Sequence, residues 1–321
     1  MPAILVENLH KTYRGRHGAL IEAVRGVSLR VEPGEVFALL GPNGAGKTST
    51  LEILEGLHDR DAGLVEVLGT DPRVGGSRLR ERIGVVLQET AVEPYLTVTD
   101  ALRRNAGYYP NPRPVGEVLE LVGLEAKADA KVKTLSGGQQ RRLDVGLGIV
   151  GRPELIFLDE PTTGFDPTAR HGAWEMVRSL TGGGTTVVLT THYMDEAQEL
   201  ADRVAIIAAG RIVAEGTPDD LDGRDTAAAR VRFRLPAGVA IGDLPVSARP
   251  LGEVVEVAVP AGEQMRVLHL LTGWALERGV SLDSLSVVRP SLEDVYLRLT
   301  GSLSTAVPPQ AAVEPGSGPP A

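Results

Sequence analysis

Val36-Phe-Ala-Leu-Leu-Gly-Pro-Asn-Gly-Ala-Gly-Lys-Thr48 runs from five apolar residues into a glycine-rich loop that ends on a lysine and a threonine. The helical pattern Thr50-Leu-Glu-Ile-Leu-Glu-Gly-Leu57 follows. G-x-x-x-x-G-K-T between a buried strand and a helix is a phosphate cradle: glycines let consecutive backbone N–H groups turn inward at a helix N-terminus. Lys47 is placed to reach β- and γ-phosphates, and the Thr48 hydroxyl is a hard oxygen suited to Mg²⁺. The competing reading, a glycine-rich turn with a stray lysine, does not explain the strand and helix on either side.

Working outward, Ile83–Leu87, Leu155–Leu158, Thr186–Leu189 and Arg203–Ile207 are further short apolar runs ended by polar or turn residues. Runs of this kind predict strands buried on both faces, and the helical patterns between several of them predict α/β layering with a parallel portion. Asp166-Pro167 offers an N-cap and a first-turn proline, after which Ala169, Ala173, Val177 and Leu180 recur on one face. Ser136-Gly-Gly-Gln139 has the spacing of a capping box.

The polar stretch Glu215–Asp225 predicts a hinge. Beyond it Arg230–Leu235 alternates strictly, Glu253–Val259 and Ser284–Val288 are β-prone, and Met265, Leu268, Leu271 and Ala275 form a helical stripe. Ser291–Leu299 reads as a short final helix that packs Leu292, Val295, Tyr296 and Leu299. The expected organisation is an α/β unit over 3–215, a linker over 216–228, a small α+β domain over 229–301, and a disordered tail over 302–321, which holds five prolines.

Composition bounds the function. The 321 residues carry 33 Lys and Arg against 42 Asp and Glu, a formal charge of −9 that disfavours a general polyanion binder, so no nucleic-acid partner is expected. Cysteine is absent, which excludes disulfides, thiolate metal sites and a cysteine nucleophile and fits a reducing cytoplasm. The N-terminus lacks the pattern of a signal peptide, and no apolar run approaches the ~20 residues that cross a bilayer. A soluble chain is expected, with any membrane role arising through a partner.

Leu155-Ile-Phe-Leu-Asp-Glu-Pro161 ends a buried strand in two carboxylates, at the edge where open α/β sheets bind ligands. Asp159 suits the Mg²⁺ shell and Glu160 a base that polarises water. Between this run and the cradle lies Leu135-Ser-Gly-Gly-Gln-Gln-Arg-Arg142, whose two glycines at a capped helix start make a second phosphate-binding edge.

With this ordered set of motifs, residues 3 to about 215 resemble the nucleotide-binding subunits of ABC transporters, whose signature is L-S-G-G-Q. The resemblance implies a P-loop NTPase fold with a helical subdomain. It also implies a homodimer in which Ser136, Gly137, Gly138 and Gln139 of one subunit close over ATP held by Gly41, Pro42, Asn43, Gly44, Ala45, Gly46, Lys47, Thr48 and Ser49 of the other. It gives Gln88 a catalytic place, coordinating Mg²⁺ beside Thr48 and Asp159 or the attacking water and sensing the membrane subunit, makes His192 a contact of the γ-phosphate that helps orient Glu160, and sets Asp166 against the opposite subunit. Phe165 stands where family members commonly have leucine. Tyr13 matches an aromatic that stacks on adenine, although a rim tyrosine explains it nearly as well.

Glu89–Asp100 corresponds to the surface that receives a helix of a separate membrane permease, with Tyr95 and Leu96 as candidate docking residues. Pro290–Gly301 is similar to the C-terminal motif of the daunorubicin-resistance branch, dominated by exporters. The expected function is therefore ATP hydrolysis that powers export, of a drug or other hydrophobic compound, from the inner face of the cell membrane. The alternatives are an importer ATPase and a non-transport ABC ATPase acting on nucleic acid or ribosomes. The latter is disfavoured by the lack of cysteine, the single cassette and the compact Lys47–Asp159 spacing.

Overall fold

Strands covered on both faces need no polar alternation, and the computed structural model shows this in β3 (Val36–Leu40), where every residue is buried. It describes residues 1–15, 19–87, 92–165, 167–221, 229–236, 238–260, 262–288 and 292–297. With β5 (Ile83–Val86), β6 (Leu155–Asp159), β7 (Thr186–Thr191), β8 (Arg203–Ala208) and β9 (Arg211–Gly216), β3 forms a six-stranded sheet in the order β5-β6-β7-β3-β8-β9. All pairs are parallel except β8 with β9. The five apolar runs of the sequence are its five parallel strands.

Side chains alternate between two cores because successive residues of a strand point to opposite faces. Phe37, Leu39, Leu155, Phe157, Val188, Ala205 and Ile207 face one layer. That layer is closed by α1 (Lys47–Leu54) and by an antiparallel sheet of β1 (Ile4–Arg14), β2 (Leu20–Val31) and β4 (Ala62–Val67), ordered β2-β1-β4. The sequence reading did not anticipate these three strands. On the opposite face Ala38, Leu40, Ile156, Leu158, Leu189 and Ile206 pack against helices. These include α3 (Val98–Ala106), α4 (Val115–Val122), α5 (Gly137–Ile149), α6 (Pro167–Gly182) and α7 (Met194–Leu200), while the short α2 (Gly76–Arg80) precedes β5. The helical layer of α3–α5 is the expected helical subdomain.

A second antiparallel sheet (the second sheet) is built from β10 (Ala229–Arg234), β11 (Arg249–Leu251), β12 (Val254–Val259) and β13 (Ser286–Val288), ordered β11-β12-β10-β13. Val231, Phe233, Val255 and Val257 pack on Val267 and Leu271 of α8 (Gln264–Arg278). The helical stripe differs from expectation: Val267, Leu271 and Ala275 are buried, whereas Met265, in the first turn, is 80% exposed. On the other face Glu256, 1% exposed, accepts bonds from Arg232 (2.9 Å) and Arg249 (3.0 Å), so the cross-strand pair Arg232–Glu256 compensates the buried charge.

Residues 292–297 form a last helical turn and a half. Leu292, Val295 and Tyr296 are buried as expected, but in the core of the first unit rather than against α8. Leu221, which precedes the second sheet, is buried in the same core. Leu299 and the tail 302–321 lie outside the described residues.

Candidate active site

Because β5, β6, β7 and β3 are adjacent and parallel, their carboxyl ends release four segments side by side. The register pairs Val86 with Leu158, Asp159 with Thr190, and Leu40 with Thr191. At the usual ~4.8 Å between strands, these segments share one edge of the sheet. That edge is where open α/β sheets bind ligands.

The loop after β3 is tightly wedged. A Cβ on Gly41 would lie 2.4 Å from the Ile207 carbonyl oxygen, and one on Gly46 would lie 2.4 Å from that of Ala23; Gly46 also has φ +106°. Only glycine meets both demands at position 46. Pro42, Asn43 and Gly44 are exposed at the tip, Ala45 is buried, and Ser49 is half-buried. Thr48 is exposed in the first turn of α1, where backbone N–H groups have no intrahelical acceptor. Lys47 is 5% exposed and donates from Nζ to the carbonyls of Gly41 (2.8 Å) and Pro42 (3.4 Å). Burial pushes its pKa below the usual lysine value, against the opposing pull of Glu160 and Asp159.

Glu160 lies across from Lys47, with Oε1 3.9 Å from Nζ. Its φ of +47° is unusual for a residue with a Cβ. The turn is held by Thr190, whose carbonyl and hydroxyl oxygens each accept from the Glu160 N–H at 3.1 Å. The Thr163 hydroxyl donates to Glu160 Oε2 at 3.1 Å. His192, just after β7, brings Nδ1 to 3.3 Å from Glu160 Oε1, without the alignment of a hydrogen bond. Asp159 is buried, and its Oδ1 accepts from the Thr190 hydroxyl.

Lys47, Asp159, Glu160 and His192 thus lie together at one edge of the sheet. Ser136, Gly137, Gly138 and Gln139 do not join them. Ser136 and Gly137 are exposed at the start of α5, and the predicted capping box is formed, with Gln139 N donating to Ser136 Oγ (3.3 Å) and Ser136 N to Gln139 Oε1 (3.1 Å). Among the described residues, no hydrogen bond or ion pair ties this segment to the Gly41–Thr48 loop. Tyr13 pairs with Ile21 on the antiparallel sheet; Lys11 Nζ lies 5.1 Å from its ring centre and His58 meets it edge-on. Tyr95 is 65% exposed, with Lys133 over its ring, while Leu96 packs on the helical core. Gln88 and Asp166 lie outside the described residues.

Sequence reasoning missed three contributors. Thr190 has no local signal beyond its place at the end of an apolar strand. Glu55, at the end of α1, is 6% exposed, and its pKa is pushed up to about 8 by burial first and then by the charges of Asp159 and Glu52. Arg141, in the first turns of α5, is 9% exposed and donates to the carbonyls of Asp159 (2.6 Å), Pro161 (3.3 Å) and Leu87.

The donor chemistry fits a nucleotide with its metal. Among the described residues no cluster of three or more His, Asp or Glu could bind a metal alone. A hydroxyl and a carboxylate beside a phosphate cradle are what Mg²⁺ uses when phosphate oxygens complete its shell. Cradle, buried lysine and paired carboxylates on a parallel sheet define a P-loop nucleotide hydrolase.

Residues 24–163 match the ABC transporter family, and residues 229–291 match the C-terminal domain of ABC transporter domain-containing proteins. The chain is 37% identical over 316 residues to the daunorubicin resistance ATP-binding protein DrrA3 of Streptomyces coeruleorubidus, covering 93% of this chain and 96% of that one. It is 39% identical to the Nod factor export ATP-binding protein I of Rhizobium etli (94% of each chain). It is 36% identical to the linearmycin resistance ATP-binding protein LnrL of Bacillus subtilis (92% and 97%). Among solved structures, the dimeric bacterial ABC transporter cassette MJ0796 superposes with a TM-score of 0.61 at 26% identity, covering 67% of this chain and 98% of that one. A post-hydrolysis state of that cassette bound to ADP and Pi superposes with a TM-score of 0.60. The chain belongs to the ABC transporter family of ATP-binding proteins, and it is an ATPase.

Proposed function

We propose that this ATPase powers export of a drug or other hydrophobic compound through a separate transmembrane permease, working as a homodimer at the cytoplasmic face of the membrane. The observation that carries the reading is the convergence of Lys47, Asp159, Glu160 and His192 on one sheet edge. Support for export comes from relatives named for daunorubicin resistance, Nod factor export and linearmycin resistance, aligned over nearly the whole chain. No helix among the described residues is long and apolar enough to cross a membrane, and the permease is proposed as a separate chain. We take residues 3–215 as the cassette, 216–228 as its linker and 229–301 as an accessory domain; the separate core of the second sheet and α8 supports the division, while Leu221 and the helix at 292–297 pack back on the cassette core.

In this mechanism the N–H groups of the Gly41–Thr48 loop and the Lys47 ammonium bind the β- and γ-phosphates. Thr48 and Asp159, joined by Gln88, would hold Mg²⁺, which when bound offsets phosphate charge. Thr190 keeps the Asp159 carboxylate aimed. Glu160 Oε accepts the proton of the water whose oxygen forms the new bond to the γ-phosphorus as the bridge to the β-phosphate breaks. His192 and Thr163 restrict Glu160 to that direction. Ser136–Gln139, capped and with Ser136 and Gly137 exposed, closes over the nucleotide held by a second copy, with Asp166 at the seam and Tyr13 against the adenine. Most of the rate gain then comes from positioning and preorganised charge.

The test is affinity capture of the tagged chain from detergent-solubilised membranes of its source cells. A polytopic membrane protein should co-purify and its presence should raise the ATPase rate. Recovery of ribosomes or DNA in its place would remove the transport reading.

A further inference from the structure

We infer that Arg141 is a positioning residue for hydrolysis, one that fixes the backbone of Glu160 and ties it to the strand end that leads into Gln88; the inference rests on Glu160 as the base.

Three observations meet at this side chain. First, its guanidinium donates to the carbonyls of Asp159 and Pro161, the residues on either side of Glu160. Glu160 has φ +47°, a conformation that costs a residue with a Cβ free energy and persists only where its surroundings impose it. Thr190 holds the Glu160 N–H and Arg141 holds the flanking carbonyls, so the turn is held by two side chains from different elements. Second, another nitrogen of the same guanidinium donates to the Leu87 carbonyl, one residue before Gln88. The planar fork of five donors lets one rigid group hold two chain segments in register, which a lysine's single ammonium cannot reproduce. Third, the charge is buried. Asp144, Asp159 and Glu196 surround it, and burial still pushes its pKa down. A buried cation with acceptors this specific fixes the placement of the groups it bonds, and removing it alone also leaves the carboxylates around it without their counter-charge.

Arg141 also lies on α5 itself, five residues after Ser136. The helix that carries the capped Ser136–Gln139 edge, the strand that leads to Glu160 and the strand that leads to Gln88 are thereby fastened at one point. A shift of α5 moves Glu160 through two hydrogen bonds. Completion of the hydrolytic site is in this way linked to the seating of the helix that faces a second copy.

The experiment compares Arg141→Lys and Arg141→Ala with the unaltered chain in steady-state ATP hydrolysis, each also in the Glu160→Gln background. Expected is a loss in kcat of about tenfold or more for both, with KM for ATP within about twofold. Guanidinium chloride, far below unfolding concentrations, should restore part of kcat to Arg141→Ala and none to Arg141→Lys, whose chain fills the space. In the Glu160→Gln background, Arg141→Ala should lower the residual rate much less, because the group it places has lost its function. Unchanged kcat in both variants, a raised KM with unchanged kcat, or loss that guanidinium does not relieve and that adds fully to Glu160→Gln would each overturn the inference. Wild-type turnover by Glu160→Gln would remove Glu160 as base whatever Arg141 does. An inert Glu160→Gln beside normal Arg141 variants would sink this inference alone.

Discussion

Replacing Glu55 with glutamine should make the cassette more stable at alkaline pH and leave it nearly unchanged near pH 5. The carboxylate ends α1, eight residues beyond Lys47, with Oε2 buried and without a hydrogen-bond partner. Burial, the charges of Asp159 and Glu52, and the negative end of the helix all oppose its ionisation. Its pKa rises from 4.5 to about 8 on folding. Below pH 4.5 the group is protonated in both states, and the full stability is present. Between 4.5 and about 8 the unfolded chain gives up a proton that the folded chain keeps, so stability falls as pH rises. At about 1.36 kcal/mol per unit the loss reaches at most about 5 kcal/mol, less whatever the helix end recovers by relaxing. Glu55→Gln keeps the shape and removes the proton. Urea unfolding, read from Trp174 fluorescence in a Trp274→Phe background without nucleotide and with a chelator, isolates the cassette, since the chain has two tryptophans. The two proteins should agree within about 1 kcal/mol at pH 5 and differ by about 2–5 kcal/mol at pH 8.5. A difference that stays constant from pH 5 to 9 would refute the reasoning.

Three further outcomes follow from the site. Glu160→Gln should bind ATP normally, lose about 10²–10⁴-fold in turnover and accumulate an ATP-bound dimer on gel filtration; full hydrolysis would remove it as base. Thr190→Val deletes the hydroxyl that holds Asp159, so the Mg²⁺ concentration for half-maximal activity should rise about tenfold, and an unaltered magnesium titration counts against that role. Ser136→Ala should cost about 1 kcal/mol through loss of its cap and also weaken the ATP-dependent dimer in the Glu160→Gln background; lost stability with undiminished dimerisation would confine Ser136 to capping.

The parallel strands were legible because burial on both faces leaves continuous apolar runs, and the cradle because phosphate binding demands its glycines and lysine at fixed spacing. The capping box was legible because both of its partners are local. β1 and β2 were not: one face of each is partly exposed, and register shifts near Asn8, which has φ +49°, break the alternation that would mark them. Arg141 stands in plain view beside the glycines, yet its acceptors are 18, 20 and 54 residues away and are backbone carbonyls, which no side-chain pattern announces. Thr190 is hidden in the same way, its bond to Asp159 being set by strand adjacency. For residues 292–297 the amphipathic pattern gave the buried face, while the surface that covers it depended on tertiary placement.

That last helix changes the mechanics of the second sheet. A domain attached by one linker can swing through a wide cone. Here the chain leaves the first core at Leu221 and returns to it at Leu292, Val295 and Tyr296, so the sheet and α8 are suspended between two anchors in the same core. The second sheet is therefore held at both ends of its chain, and Arg230 of β10 also lies 3.7 Å from Asp294 of the last helix.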